Sequence, residues 1–418
     1  MIKRNKNTAI LDLGSSKVCC MIAEQDENEI IKVIGIGHYA SSGIEKGIIT
    51  DQNLAIKNIS NAIKSAERMA NIKIKSGVTL AMSSDKIFSK LVRGKISIID
   101  EKVSEEDVRK CLEITLKDEF FLDKKVIHNI PLNYILDGAD RIKDPVGMYA
   151  NHLEIEFLIS YLNISHFKNF INCVTQCDVD INKVINAGLA SGLAILNDNE
   201  IFIGSAVVDM GARTTSLNLF SNNNLIFSES LAFGGHDITE QIARQFSISF
   251  KEAERLKIMH ASVLENPDEN EIGMEIPSIN FDNKDDYIKV TKGEIYDVVK
   301  PIIIQILNWI SDTLKKSGKS NLVSKVLVFT GGASQIDGLP VLARDILNVN
   351  ARVGTPKDLK INFQNSIDAS YSVSAGLIKH NFENYKDNFV DNISLQNEIG
   401  KSNTQFSIKN WFGQNFFN

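Results

Sequence analysis

Thr8-Ala9-Ile10-Leu11-Asp12-Leu13-Gly14-Ser15-Ser16-Lys17 decides the fold, because the same plan returns in the middle of the chain as Gly204 to Val208 followed by Asp209-Met210-Gly211-Ala212-Arg213-Thr214-Thr215. In both places an apolar run enters an Asp-x-Gly turn, and an apolar run leaves it (Val18 to Ile22; Ser216 to Phe220). Each reads as strand, tight hairpin, strand. Glycine lets a phosphate approach the backbone with no Cβ in the way. Successive turn N–H groups form an anion-binding concavity. An aspartate at the entrance cannot bind phosphate itself, but it is suited to a hydrated Mg2+ that does. Two such hairpins facing each other would clamp one nucleotide from both sides.

Around the first turn, residues 8 to 40 alternate as a strand meander, with turns at Gly14 and near Asp26. Ile56, Ile59, Ile63, Ala66 and Ala70 repeat at helical spacing. Val78 to Met82 reads as a buried strand. Strands over Lys86 to Ile99, a helix over Ser104 to Leu116 opened by a Ser-Glu-Glu-Asp cap, and strands at Val126 to Leu136 and His152 to Tyr161 form a block poor in crossover helices, as an inserted subdomain would be. Helix returns at His166 to Gln176, and Ile185 to Ser191 opens another. The second half repeats the plan: a meander from Ile203, a Gly234-Gly235 turn, helices through Lys257, a polar region from Glu265 to Asp286, and a long helix near Ile295 to Lys315. Val326 to Phe329 is a strand running into Thr330-Gly331-Gly332-Ala333. This is a duplication of architecture around a cleft.

The 418 residues suffice for two or three domains, each with a core. An apolar fraction of 43% with 23% charged residues is ordinary for a globular protein. A net charge of −6 and no basic run argue against nucleic acid as a partner. No stretch reaches the roughly 20 apolar residues that span a bilayer, and the basic Met1 to Lys6 is not followed by an apolar signal segment. The five cysteines fit no zinc framework. Cys173 and Cys177, one helical turn apart, read as small core residues rather than as a ligand pair. No histidine lies near a plausible nucleophile, which argues against a His-based hydrolase.

The order and spacing of two Asp-bearing hairpins, Gly234-Gly235 and Thr330-Gly331-Gly332-Ala333 resemble the actin/Hsp70/sugar-kinase superfamily of ATP-binding folds. Within it, the chain resembles the bacterial FtsA cell-division family over nearly its whole length. The resemblance rests on Gly43-Ile44-Glu45-Lys46-Gly47, Ala66-Glu67-Arg68-Met69-Ala70, Ile142-Lys143-Asp144-Pro145-Val146-Gly147, Ala187-Gly188-Leu189-Ala190-Ser191, Ala253-Glu254-Arg255-Leu256-Lys257, Phe329 to Ile336 and Tyr371 to Leu377. It implies an α/β, actin-like (ribonuclease H-like) duplicated two-lobe fold. Residues 1–83 and 166–199 would form one lobe, 84–165 an inserted α+β subdomain, 200–226 and 301–381 the core of the second lobe, and 227–300 its smaller subdomain.

The resemblance also implies ATP and Mg2+ as cofactors. Gly14, Ser15, Ser16 and Lys17 would meet the phosphates from one side, and Gly211, Ala212, Arg213 and Thr214 from the other. Asp12 and Asp209 would hold the metal through water. Gly234, Gly235, Glu254 and Lys257 would approach the ribose and adenine, and Gly331, Gly332 and Ala333 the adenosine. Spacing alone would make Glu254 and Lys257 an i,i+3 pair on a solvated helix face. Where related proteins orient the attacking water with Glu or Gln, this chain has Ala187 or Gly188, so ATP turnover, if any, is expected to be slow; no catalytic residue is assigned. Arg213 stands where a glycine is common, and would either pair with phosphate or crowd it.

From Asn381 the composition turns polar, and 382–404 reads as a flexible linker. Over 405–418, Ile408, Trp411, Phe412 and Phe416 fall on one helical face, as an interfacial membrane helix requires. Burying four such side chains in part gives marginal, reversible attachment, which self-association would strengthen by linkage. The resemblance implies a cell-division protein at the cytoplasmic face of the inner membrane, at the division site. It would polymerise with itself, tether the tubulin-like FtsZ through the 227–300 region, and recruit later divisome proteins. The alternatives are an actin-like pilus-assembly scaffold and a superfamily small-molecule kinase; the latter needs a carboxylate base beside a deep substrate pocket, and neither signature is present.

Overall fold

In the computed structural model, which describes residues 6–118, 123–277, 287–322, 326–361 and 367–382, the first hairpin joins strands Lys6–Leu13 and Lys17–Gln25, with Asp12 opposite Cys19. Strand Ile31–Ala40 completes an antiparallel meander. The first strand also pairs in parallel with Val78–Met82, which pairs in parallel with Ile181–Asn186. The second lobe repeats this. Ser205–Met210, Thr215–Ser221 and Asn224–Leu231 form the meander, and Val326–Thr330 then Asn350–Val353 add in parallel to its first strand. All of Val78–Met82 is buried, as expected for a parallel strand covered on both faces.

Local chemistry sets the element ends. Asp51 caps helix Gln52–Ala70 by accepting from the Leu54 N–H at 3.0 Å, and left-handed Asn71 ends it. Ala55, Ile59, Ala62, Ile63 and Ala66 make its buried face. Burying each large aliphatic side chain contributes about 1.5–3 kcal/mol, which outweighs any propensity term. The inserted block is a four-stranded antiparallel sheet, ordered Phe88–Ser97, His152–Asn163, Lys124–Leu136, Ala139–Ile142, with helix Glu105–Asp118 against it. Ser104 and Asp107 cap that helix reciprocally, Asp taking the place of the usual Glu. The block has its own core, which includes Val92, Cys111, Leu112, Leu153 and Ile155.

Four expectations are corrected. Lys86 to Ile99 holds one strand, Phe88–Ser97. Ile203 ends a short helix, Asp198–Ile203, and the second meander starts at Ser205. Gly234-Gly235 is not a free turn: Gly234 caps helix Gly235–Phe246. The assignment of 301–381 to the second lobe breaks down near its end. Leu359–Ile361 pairs with Ile31–Val33 at the edge of the first sheet, and helix Ser372–Phe382 packs on helix Ala187–Ile195 and on the first-lobe strands. The apolar side chains of that helix have a home only in the core shared between the lobes. Cys173 is buried, and the Cys177 thiol donates to the Cys173 and Ile56 carbonyls, so both are packing residues. The membrane-face residues Ile408, Trp411, Phe412 and Phe416 lie outside the described residues, as does the 382–404 linker beyond Phe382. Among the described residues no helix is long and apolar enough to cross a membrane.

Candidate functional site in the cleft between the lobes

Both hairpin tips open into one cavity of about 450 Å³, within the usual range for small-molecule sites. Each tip is closed by its own ladder: Gly14 N–H donates to Lys17 O at 3.0 Å, and Gly211 N–H to Thr214 O at 2.8 Å. Ser15, Ser16 and Lys17 line one wall, and Ala212, Arg213 and Thr214 the other. The Ser83 hydroxyl, at the end of a first-lobe strand, meets the Thr214 hydroxyl at 3.2 Å and ties the walls together.

Asp12 and Asp209 sit at the floor. Burial pushes both carboxyls above their usual range, and for Asp209, with Asp12 beside it, the value reaches about 7. Ser374 steadies Asp12 with a hydroxyl bond of 3.2 Å. Two desolvated carboxylates side by side suit a divalent cation, whose charge would offset both. Among the described residues no cluster of three acidic, His or Cys side chains could enclose a metal, so any Mg2+ held here would keep water in its shell, as Mg2+ does.

Lys17 is parked. Its ammonium donates to the Ser370 hydroxyl at 2.9 Å and lies 3.1 Å from the centre of the Tyr371 ring. Burial lowers its pKa. On the second lobe, Lys257 donates to Gly235 O (3.0 Å), Thr239 Oγ1 (2.9 Å) and Glu254 Oε2 (2.7 Å). Its side chain is only 9% exposed, so Glu254 and Lys257 are not a solvated surface pair; both line the cavity. Burial raises the Glu254 carboxyl, but the Lys257 and Thr239 hydrogen bonds outweigh it and hold the acid ionised.

Gly331 needs to be glycine. Its φ is +86°, and a Cβ there would lie 2.5 Å from both Asp209 Oδ1 and Met210 O. Gly332 and Ala333 follow it on the same wall. Gly235 also lines the cavity, whereas Gly234 does not. Gly234 instead lets the helix start abut the hairpin, with Gly235 N–H on Gly211 O and His236 N–H on Ala212 O. Arg213 turns toward helix Gly235–Phe246. Its guanidinium pairs with Glu240 at 2.6 Å and reaches Asp237 at 3.6 Å.

The sequence reading brings together every proposed cleft residue except Gly234, but misses several lining residues: Ser83, Ser216, His236, Gln335, Asp368 and Ser370. Ser370, Ser372 and Ser374, short polar residues at the head of an apolar helix, were the available signal. Gly188 faces Asn218 so closely that a Cβ would lie 2.0 Å from its Oδ1. Asn218 is fully buried and bonded to the Ser216 hydroxyl at 2.9 Å and the Ser228 hydroxyl at 2.8 Å.

Two meanders, each extended by parallel strands and facing the other across a hairpin-lined cleft, define an actin-like protein. Solved structures agree on the fold. One protein of the PilM–PilN type IV pilus biogenesis complex superposes with a TM-score of 0.65 at 16% identity, covering 89% of this chain and 97% of its own. MreB5 of Spiroplasma citri bound to ADP gives 0.54 at 14% identity, covering 91% and 99%. The family model for cell division protein FtsA matches residues 206–376, and that for the SHS2 domain inserted in FtsA matches 85–161. Cell division protein FtsA of Agrobacterium fabrum is 34% identical over 364 residues, covering 85% of this chain and 82% of its own. The chain belongs to the FtsA family of cell division proteins.

Proposed function

We propose that this actin-like cell-division protein binds Mg2+-ATP between its lobes and, in that state, assembles on the inner membrane and holds FtsZ there. The observation that carries the nucleotide reading is the pair of buried carboxyls of Asp12 and Asp209, both raised by burial and Asp209 also by Asp12, at the floor of a cleft walled by two hairpin tips. Asp12 and Asp209 would orient the hydrated cation. Ser15, Ser16 and Lys17 would take phosphate oxygens opposite Ala212 and Thr214, Glu254 and Lys257 would face the ribose and adenine, and Gly331 to Ala333 the adenosine. The bound metal would supply charge neutralisation to the polyphosphate. The ADP named in the MreB5 structure supports a nucleotide in a fold of this kind. No side chain at Ala187 or Gly188 can orient water, and Asn218 fills the adjoining space, which supports slow turnover. Phosphate release at tens per second would overturn that part.

The membrane and FtsZ parts rest on family membership and on the apolar face of Ile408, Trp411, Phe412 and Phe416. A pilus-assembly scaffold is the weaker reading, since the PilM–PilN likeness is 16% in sequence against 34% to a cell division protein. Calorimetry with Mg2+-ATP tests the cleft. Co-sedimentation with vesicles and FtsZ, with and without residues 405–418, tests the tether. Trp411→Glu with Phe412→Glu should release the protein from vesicles; unchanged sedimentation would sink the tail assignment.

A further inference from the structure

Three cations line the cleft: Lys17, Arg213 and Lys257. Lys257 spends its three donors within the protein, and Lys17 is docked on Ser370 and Tyr371. Arg213 differs. It stands at the tip of the second hairpin, and its partners, Glu240 and Asp237, belong to helix Gly235–Phe246. Asp237 is already engaged as the acceptor of the Gly234 N–H at 2.8 Å, and Glu240 also faces Arg244 at 3.8 Å. The helix is held to the hairpin without the arginine, because Gly235 and His236 donate backbone bonds to Gly211 and Ala212. The guanidinium can therefore change partner without undoding the packing. It is mostly buried, 19% exposed, so its exchange takes place where charge is poorly screened. Its planar set of donors matches phosphate oxygens in a way an ammonium does not.

We propose that Arg213 makes the cleft distinguish a nucleoside triphosphate from a diphosphate, leaving Glu240 for the third, terminal phosphate that only the triphosphate carries. This rests on the nucleotide reading above and adds to it the residue that reads phosphate number. With Glu240 as the resting partner, the terminal phosphate competes against one carboxylate for one guanidinium. Such a charge-assisted contact corresponds to roughly a tenfold preference.

The experiment is calorimetry of the full chain with Mg2+-ADP and with a non-hydrolysable Mg2+-ATP analogue at fixed ionic strength. Arg213→Gln should bring the two affinities roughly tenfold closer, and Arg213→Lys should restore part of the gap. Glu240→Gln should widen it, because one competitor for the arginine is gone. Wild-type protein that binds both nucleotides, with a ratio unchanged by Arg213→Gln, overturns this proposal and leaves the nucleotide reading standing. Arg213→Gln and Glu240→Gln that weaken both nucleotides equally would make the pair a strut and also overturn it. Wild-type protein that binds neither nucleotide overturns the reading of the cleft itself. Thermal melts show whether each variant is folded, and Glu240→Gln carries the test if Arg213→Gln is not.

Discussion

Asp209 concentrates the chemistry of the cleft in one titration. Its carboxyl is pushed from 3.8 to about 7 by burial and by Asp12. A raised folded-state pKa means the native protein holds its proton more tightly than the unfolded chain does, so stability from this group falls as pH rises from about 4 to about 7. The full loss is on the order of 4 kcal/mol. The empty protein should therefore melt at a lower temperature at pH 8 than at pH 6. Asp209→Asn should flatten that dependence and raise the pH 8 melting temperature, while weakening Mg2+-nucleotide binding at least tenfold. A cation that offsets the two carboxylates acts in the same direction: the melting-temperature gain from Mg2+-ATP should be larger at pH 8 than at pH 6. Melting curves across pH 5 to 8, with and without ligand, check all three, and a slope unchanged in Asp209→Asn would remove this carboxyl from the account.

Helix Ala187–Ile195 shows how an element is fitted to its neighbour. Asn186 caps it by accepting from Gly188 N–H at 2.7 Å, and the Gly188 face then lies against Asn218 of the second meander. Gly188→Ala improves helix propensity by about 1 kcal/mol in isolation. Here it must displace Asn218 and strand the Ser216 and Ser228 hydroxyls, at about 1–3 kcal/mol for overpacking and about 1 kcal/mol for each lost bond. Chemical denaturation should show a net loss of roughly 2–4 kcal/mol; a stabilised variant would mean that Asn218 moves freely. Elements of this kind divide by what a sequence exposes. The hairpins were legible because Asp-x-Gly between apolar runs is a local signal, and so was the Ser104 cap. Helix Asp198–Ile203 also had a local signal, the Asn197-x-x-Glu200 capping box, hidden because Phe202 and Ile203 are exposed and resemble a strand start. The Gly188–Asn218 fit and the Lys17–Tyr371 contact join residues far apart in the chain and have no local signature. Arg213 was visible as a departure, but its partner Glu240 was not, since a 27-residue separation carries no periodicity.

At the scale of the molecule, the lobes share a central core in addition to one in each lobe, and the inserted subdomain has a further one of its own. Ile10, Val33 and Ala81 of the first sheet pack in one cluster with Val207, Phe220 and Val328 of the second, joined by Ala190, Leu193, Ala375 and Ile378 of the two central helices. The return of helix Ser372–Phe382 to the first lobe closes that core, so neither lobe can expose its inner face alone without losing contacts on both. The inserted subdomain touches the second lobe chiefly at an edge, where the Ser89 hydroxyl bonds the Ser228 backbone on both sides, and its own apolar cluster centres on Val92, Cys111 and Leu153. Its long strands are also tied into the lobes, Ile127 and Leu162 in the first-lobe core and Ile130 and Leu158 in the shared one, so the part of the subdomain able to open by itself is the side of helix Glu105–Asp118, whose Cys111 and Leu112 belong to the subdomain's own cluster. A ligand in the cleft stabilises against openings that disrupt the cleft, by about 2.7 kcal/mol at a hundredfold excess over its dissociation constant, and not against local opening of that helix. Hydrogen exchange should therefore slow on adding Mg2+-ATP in both hairpins and in helices Ala187–Ile195 and Ser372–Phe382, while helix Glu105–Asp118 exchanges as before. Equal slowing in that helix would show that it opens only with the whole molecule.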